Sequence, residues 1–188
     1  MRALIPLVIM LIGHQAAAPS ATQTAKPSAT FRLVSADVKT TFAPPQIFNG
    51  FGCTGGNVSP QLAWTGAPAG TKAFALTVFD PDAPTGSGWW HWIVVNIPGS
   101  ATELAAGASG NASKMPAGAL ETRTDFGKSG YGGPCPPAGD KPHHYIFTLY
   151  ALKADKLDLE AHASGAMANF MIRQNSLGEA AFTATYAR

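Results

Sequence analysis

A mostly β fold is predicted for this chain, and three observations carry the prediction. Only 13% of the residues are charged, low for a globular protein. The 188 residues include 20 glycines and 15 prolines, a density of turn formers that favours short strands over long helices. Ile, Val, Leu, Phe, Trp and Tyr recur in clusters of strand length, which also argues against a disordered chain. The length suits a single domain that buries its core without metal or disulfide support. The formal net charge is +2 and the Lys and Arg residues are scattered, so neither nucleic acid nor an anionic membrane is an expected partner.

The N-terminus reads as a leader. Arg2 gives a positive start, Leu4 to Ile12 is apolar apart from Pro6, and Ala16, Ala17 and Ala18 follow. Residues 1–18 are therefore expected to be a signal peptide, cleaved between 18 and 25. Residues 19–29 form a flexible lead, and 30–188 form the domain. The apolar stretch is too short to span a bilayer comfortably, so the mature chain is expected to have no transmembrane segment. The expected location is periplasmic or secreted. There Cys53 and Cys135, the only two cysteines, either pair as a disulfide or remain two buried thiols.

Phe31 to Val34 is the first expected strand. Asn49 to Pro60 is a glycine-rich loop, and Gln61 to Trp64 a short strand. Thr71 to Phe79 is a strong strand, with Phe74, Leu76 and Val78 alternating against Ala73, Ala75 and Thr77. It ends at Asp80-Pro81-Asp82-Ala83-Pro84, where two prolines stop a central strand. Ile93 to Ile97 is a further apolar strand. Ala101 to Asp125, rich in Gly, Ala and Ser, reads as a long surface excursion, and Tyr131 to Pro142 as a prearranged Pro/Gly loop. Tyr145 to Leu152 is another strong strand. The period then changes, and Lys156 to Asn175 suits one or two short helices before a terminal strand over Ala180 to Ala187.

Polar groups gather at strand ends: Asp80 and Asp82, then His91, then His143, His144 and Tyr145. Strand-end loops on a rigid sheet commonly display binding groups, although such aspartates also serve as plain turn formers. Five segments occur together in order: Asn57 to Trp64, Asp80 to Pro84, His91 to Pro98, Tyr131 to Pro137 with His143-His144-Tyr145 after it, and Thr183 to Arg188. On these segments the chain resembles the phosphatidylethanolamine-binding protein family, in its bacterial, Raf kinase inhibitor-like branch. The resemblance covers nearly all of the chain after residue 30. It implies a large sheet in a β-sandwich-like core with a few peripheral helices, and a small pocket for phosphate, acetate or a phosphorylated headgroup. Carried over by position, the pocket residues are Asp80, Asp82, His91, His143 and Tyr145, with Cys135, Pro136 and Pro137 along one border. Two departures are local: His144 stands where the family commonly has Arg, and Thr124 where Asn is usual.

The residues fit such a pocket chemically. His91, His143 and Tyr145 can donate to an anion, while Asp80 can accept from a histidine ring and set its tautomer. Trp89, Trp90 and Trp92 supply either an apolar rim or plain core. The expected function is binding of a small anion or a phosphorylated, phospholipid-type headgroup. The alternative is an interaction module that inhibits or modulates another exported protein. A hydrolytic enzyme is the weakest reading: Ser87 and Ser129 lack a nucleophile-elbow context, and two adjacent histidines in an extended segment point to opposite faces. No catalytic residue, metal or cofactor is expected. N-terminal sequencing of exported protein should give a start between Pro19 and Lys26, and a chain still beginning at Met1 would refute the leader.

Overall fold

The computed structural model describes residues 30–188, so the expected leader and the segment up to residue 29 lie outside the described residues. In chain order the first elements are β1 (Arg32–Val34), β2 (Asn49–Gly50), β3 (Cys53–Thr54), β4 (Leu62–Thr65) and β5 (Ala73–Asp80). Then come β6 (Trp89–Pro98), β7 (Glu103–Leu104), β8 (Leu120–Glu121), β9 (His143–Leu152), α1 (Gly165–Asn175) and β10 (Ser176–Tyr186). The five-stranded sheet has the order β10-β9-β5-β6-β8, antiparallel throughout, and a three-stranded sheet has the order β1-β4-β7.

The alternation in β5 has a two-sided meaning. Phe74, Leu76 and Val78 enter one core with Leu33, Leu62, Trp64 and Leu104 of the smaller sheet. Ala73 and Ala75 enter a second core with Leu157, Ala168 and Ile172, so α1 packs over small side chains. Both faces are therefore covered, and β5 is the middle strand of a sandwich with, among the described residues, one α-helix and one 3₁₀ turn at its periphery. The sheet-dominated, sandwich-like architecture expected from sequence is the one observed.

Several boundaries differ from the sequence reading. β6 begins at Trp89 instead of Ile93, where it meets the end of β5, and β9 begins at His143 instead of Tyr145, where it pairs with the end of β10. Helix forms only from Gly165, after Ser164 caps it by accepting from the Met167 N–H at 3.3 Å. The preceding Leu157 is instead held to β6, where the Asn96 side chain exchanges two hydrogen bonds with the Leu157 backbone. β10 starts at Ser176, directly after α1, and runs the length of β9. The stretch 101–125 carries β7 and β8 and buries Leu104, Ala108 and Thr122, so it is more than a surface excursion.

Cys53 and Cys135 are bridged, with Cα atoms 6.0 Å apart and a sequence separation of 82. The bridge joins the β2–β3 hairpin to the Pro/Gly loop. Asn57 adds a second tie, donating to the Tyr131 carbonyl at 3.1 Å and accepting from the Gly133 N–H at 2.8 Å. Gly133 is needed there, because a Cβ would overlap the Gln46 carbonyl. Complete reduction of the bridge should lower unfolding stability by roughly 2–5 kcal/mol, read from the denaturant midpoint. An unchanged midpoint after verified reduction would show that the bridge constrains nothing.

Candidate functional site

Antiparallel pairing decides which polar residues meet. Asp80 is the last residue of β5, and the first residues of β6 and β9 arrive beside it: Asp80 opposes Trp89, and Phe79 opposes Ile146. On β9, side chains alternate, so His143 and Tyr145 are buried while His144 faces out. On β6 the register slips by one residue, with Val78 opposite Trp92 and Phe79 opposite Trp90, so His91 is the extra residue of a β-bulge. The bulge re-aims the strand: Trp90 packs into the core beneath α1 and Trp92 into the core beneath the smaller sheet. His91 then lies against Tyr145, edge to face, with ring centres 5.0 Å apart.

The four polar side chains are almost fully buried, at 2% exposure for Asp80, 4% for His91, 4% for His143 and 1% for Tyr145. Asp80 Oδ1 accepts the N–H groups of Asp82 at 2.8 Å and Ala83 at 3.1 Å, and Oδ2 meets His143 Nδ1 at 2.8 Å. His143 Nε2 lies 3.5 Å from Asp140 Oδ2. His91 Nδ1 is 2.7 Å from the Gly132 carbonyl, an acceptor only, so the ring donates there. Burial pushes the His91 pKa down to about 4, against the upward pull of the Gly132 carbonyl and then of Asp80. The Tyr145 phenol is held above its usual range, by burial first and by the Asp80 charge second. Its hydroxyl has no hydrogen-bond partner.

These residues line a cleft of about 160 Å³. Of the pocket positions singled out from sequence, Asp80, His91, Cys135, Pro136, Pro137, His143 and Tyr145 share it. Asp82 does not. It borders a neighbouring groove with Asp140 and His144, and its carboxylate accepts from the His144 backbone and lies 2.7 Å from His144 Nδ1. Those two hydrogen bonds hold the Asp82 carboxyl below the usual range. Asp82 is thus displaced from the cleft because the Asp80 turn points it outward. Of the three tryptophans, Trp89 lines the cleft and Trp92 is core.

Residues 38–187 match the sequence model of the family described as phosphatidylethanolamine-binding protein. The chain belongs to that family. It is 50% identical over 162 residues to the UPF0098 protein YbcL of Escherichia coli K12, covering 85% of this chain and 88% of that protein. It is 49% identical over 158 residues to the UPF0098 protein YbhB of the same organism, covering 83% and 99%. The crystal structure of E. coli YbcL, described there as a member of the mammalian PEBP family, superposes with a TM-score of 0.83, covering 85% of this chain and 99% of that one. The structure of CT736 from Chlamydia trachomatis gives a TM-score of 0.70 at 27% identity, covering 84% and 97%. Members of the phosphatidylethanolamine-binding family are generally not catalytic, and membership supports a role in binding a small molecule or a protein.

Apart from Trp89, which the sequence offered as an apolar rim, the family resemblance and the strand ends did not reveal the cleft's outer wall. Phe126 stands among Trp89, Phe48, Phe51 and His91, with ring centres between 4.6 and 6.0 Å away. Phe51 reaches this wall from the hairpin that the disulfide tethers. Arg188, the last residue, donates from Nε to the Pro136 carbonyl at 2.6 Å, while its own carbonyl accepts from the Gly139 N–H. It steadies the proline border from outside. No local pattern marks Phe48, Phe51 or Phe126, because each arrives on a loop whose course depends on the whole fold. Among the described residues, no group of His, Cys, Asp and Glu is placed to hold a metal ion, and no helix is long and apolar enough to cross a membrane.

His91 makes stability depend on pH. The unfolded chain binds this proton near 6.5 and the folded chain only near 4, so between those values the unfolded state holds more protons and stability falls as pH falls. At about 1.4 kcal/mol per tenfold change in proton affinity, the loss approaches ~3 kcal/mol at pH 4. Urea midpoints at pH 7, 5.5 and 4.5 should show it, and the His91→Gln variant should lose that part of the slope. A wild-type and variant slope that coincide would remove His91 as the cause.

Proposed function

We propose that the cleft binds a small oxyanion or the phosphorylated end of a larger ligand. The unpartnered Tyr145 hydroxyl carries this reading: a buried donor left without an acceptor costs about 1–3 kcal/mol, and a ligand oxygen in the cleft would recover it. The polar floor and the aromatic wall of Phe51, Trp89 and Phe126 suit a ligand with an anionic end and an apolar or cationic remainder. Asp80 is kept from repelling the anion by its bonds to His143 and the backbone. Family membership supports binding of a small molecule or a protein, and the small size of the cleft, about 160 Å³, favours the small molecule.

A second reading, an interaction module acting on another exported protein, draws on the exposed Phe51 and on Met167 and Phe170 of α1. We also propose the Raf kinase inhibitor-like branch as the chain's place within its family, on the segments Asp80–Pro84, His91–Pro98 and Tyr131–Pro137. A periplasmic or secreted location is proposed from the leader-like residues 1–18 and is supported by the Cys53–Cys135 bridge, since disulfides persist in oxidising compartments.

Tyr145→Phe separates a ligand donor from a structural group. It removes the unpartnered hydroxyl and keeps the ring, so folding stability should hold or rise slightly while affinity for inorganic phosphate falls about tenfold. His144→Ala, altered on the exposed face, should leave that affinity unchanged. Calorimetric titration with thermal unfolding on the same samples makes the comparison. Phosphate binding by Tyr145→Phe equal to wild type would remove the cleft as the oxyanion site.

A further inference from the structure

Resting on the oxyanion reading of the cleft, we infer that it takes a phosphate monoester or free phosphate in the form that still carries an acidic hydrogen, and selects against phosphodiesters and sulfate esters of the same size. The inference follows from how donors and acceptors are spent on the cleft floor. The Gly132 carbonyl takes the Nδ1 hydrogen of His91 at 2.7 Å, which leaves Nε2 as a lone pair on a ring that lines the cleft. Asp80 accepts only, and both of its oxygens are engaged. His143 turns Nδ1 to Asp80 and Nε2 towards Asp140. The floor donor without a partner is the Tyr145 hydroxyl.

The charged and titratable groups around His91 are Asp80 on β5, His143 and Tyr145 on β9, and Asp125 on the loop after β8. No Lys or Arg is among the described residues lining the cleft. A tetrahedral oxyanion therefore meets a donor at Tyr145, a lone pair at His91 and a carboxylate at Asp80. An oxygen facing His91 Nε2 has to bring its own hydrogen, or two lone pairs oppose each other at a buried ring. The P–OH of a singly ionised monoester satisfies Nε2 while a second oxygen accepts from Tyr145. A diester or a sulfate ester has no such hydrogen at neutral pH. An intact phospholipid, whose phosphate is a diester, is disfavoured against a released phosphorylated headgroup. Burial supports this assignment by keeping the imidazole neutral down to about pH 4.

The test is calorimetric titration of the bridged, exported protein with methyl phosphate, dimethyl phosphate, methyl sulfate and methylphosphonate from pH 5 to 8. At the acid end methyl phosphate should bind at least about tenfold more tightly than dimethyl phosphate or methyl sulfate. Its affinity should fall as pH passes the second ionisation of a phosphomonoester, about pH 6. For methylphosphonate, a weaker acid at that ionisation, the fall should come at a higher pH. His91→Gln, whose amide can donate, should bring dimethyl phosphate within a few-fold of methyl phosphate. If that variant does not fold, the two pH profiles on wild type decide alone. Equal binding of monoester, diester and sulfate overturns the inference and leaves the oxyanion site standing. So does a fall at one common pH for both titrating ligands, since a protein group would then be losing the proton. Failure of all four to bind at millimolar concentration overturns the oxyanion reading and the inference with it.

Discussion

The Asp80 carboxylate, buried at the end of the middle strand, divides its two oxygens between the chain's next turn and a neighbouring strand. Oδ1 gathers the N–H groups of Asp82 and Ala83 and so turns the chain out of the sheet at the first proline. Oδ2 meets His143 and ties β5 to the first residue of β9. A buried carboxylate is tolerated only when its oxygens are occupied in this way. Strand end, turn and cleft floor thus depend on one group. Loss of either set of bonds would leave a charge in the core and free the two strands whose ends form the site.

Around that anchor the site is assembled by register more than by local sequence. A one-residue slip exchanges the faces of a strand, so the pairing of β9 with β5 is what brings His143 and Tyr145 inward and turns His144 out. The bulge at His91 makes the opposite use of the same rule. It inserts one residue so that a histidine otherwise in phase with the helix-side core comes to the cleft. The aromatic wall is fixed differently, by a disulfide, an asparagine clamp and a C-terminal arginine acting on loops.

This division explains what was legible in the sequence. β5 announces itself through alternation and β9 through an apolar run that supplies both faces, and the clusters at Asp80, His91 and His143 lie at strand ends. The extension of β6 back to Trp89 was hidden, because a Trp-Trp-His-Trp run suits a loop rim as well as a strand. The helix was overextended, because Leu157 and Leu159 match a helical period yet Asn96 holds Leu157 in an extended segment. Asp80 and Asp82 are chemically alike and two residues apart, and only the turn geometry sends one inward and the other to His144. The two cysteines were compatible with a bridge or with buried thiols until the loops bearing them were in place.

On the proposed oxyanion reading, the donor count of the floor also limits which ligands the cleft takes. Ring and backbone atoms there are committed to one another before any ligand enters: His91 to Gly132, His143 to Asp80, Asp80 to its own turn. Such commitments fix tautomers and leave few ways to accommodate a differently protonated ligand, because each adjustment would break a buried hydrogen bond. The wall of Phe51, Trp89 and Phe126 imposes no comparable demand, since aromatic faces accept apolar and cationic groups alike. On that reading, the polar end of a ligand is judged by the sheet and the remainder by the loops. A change of loop can alter the second judgement without disturbing the first.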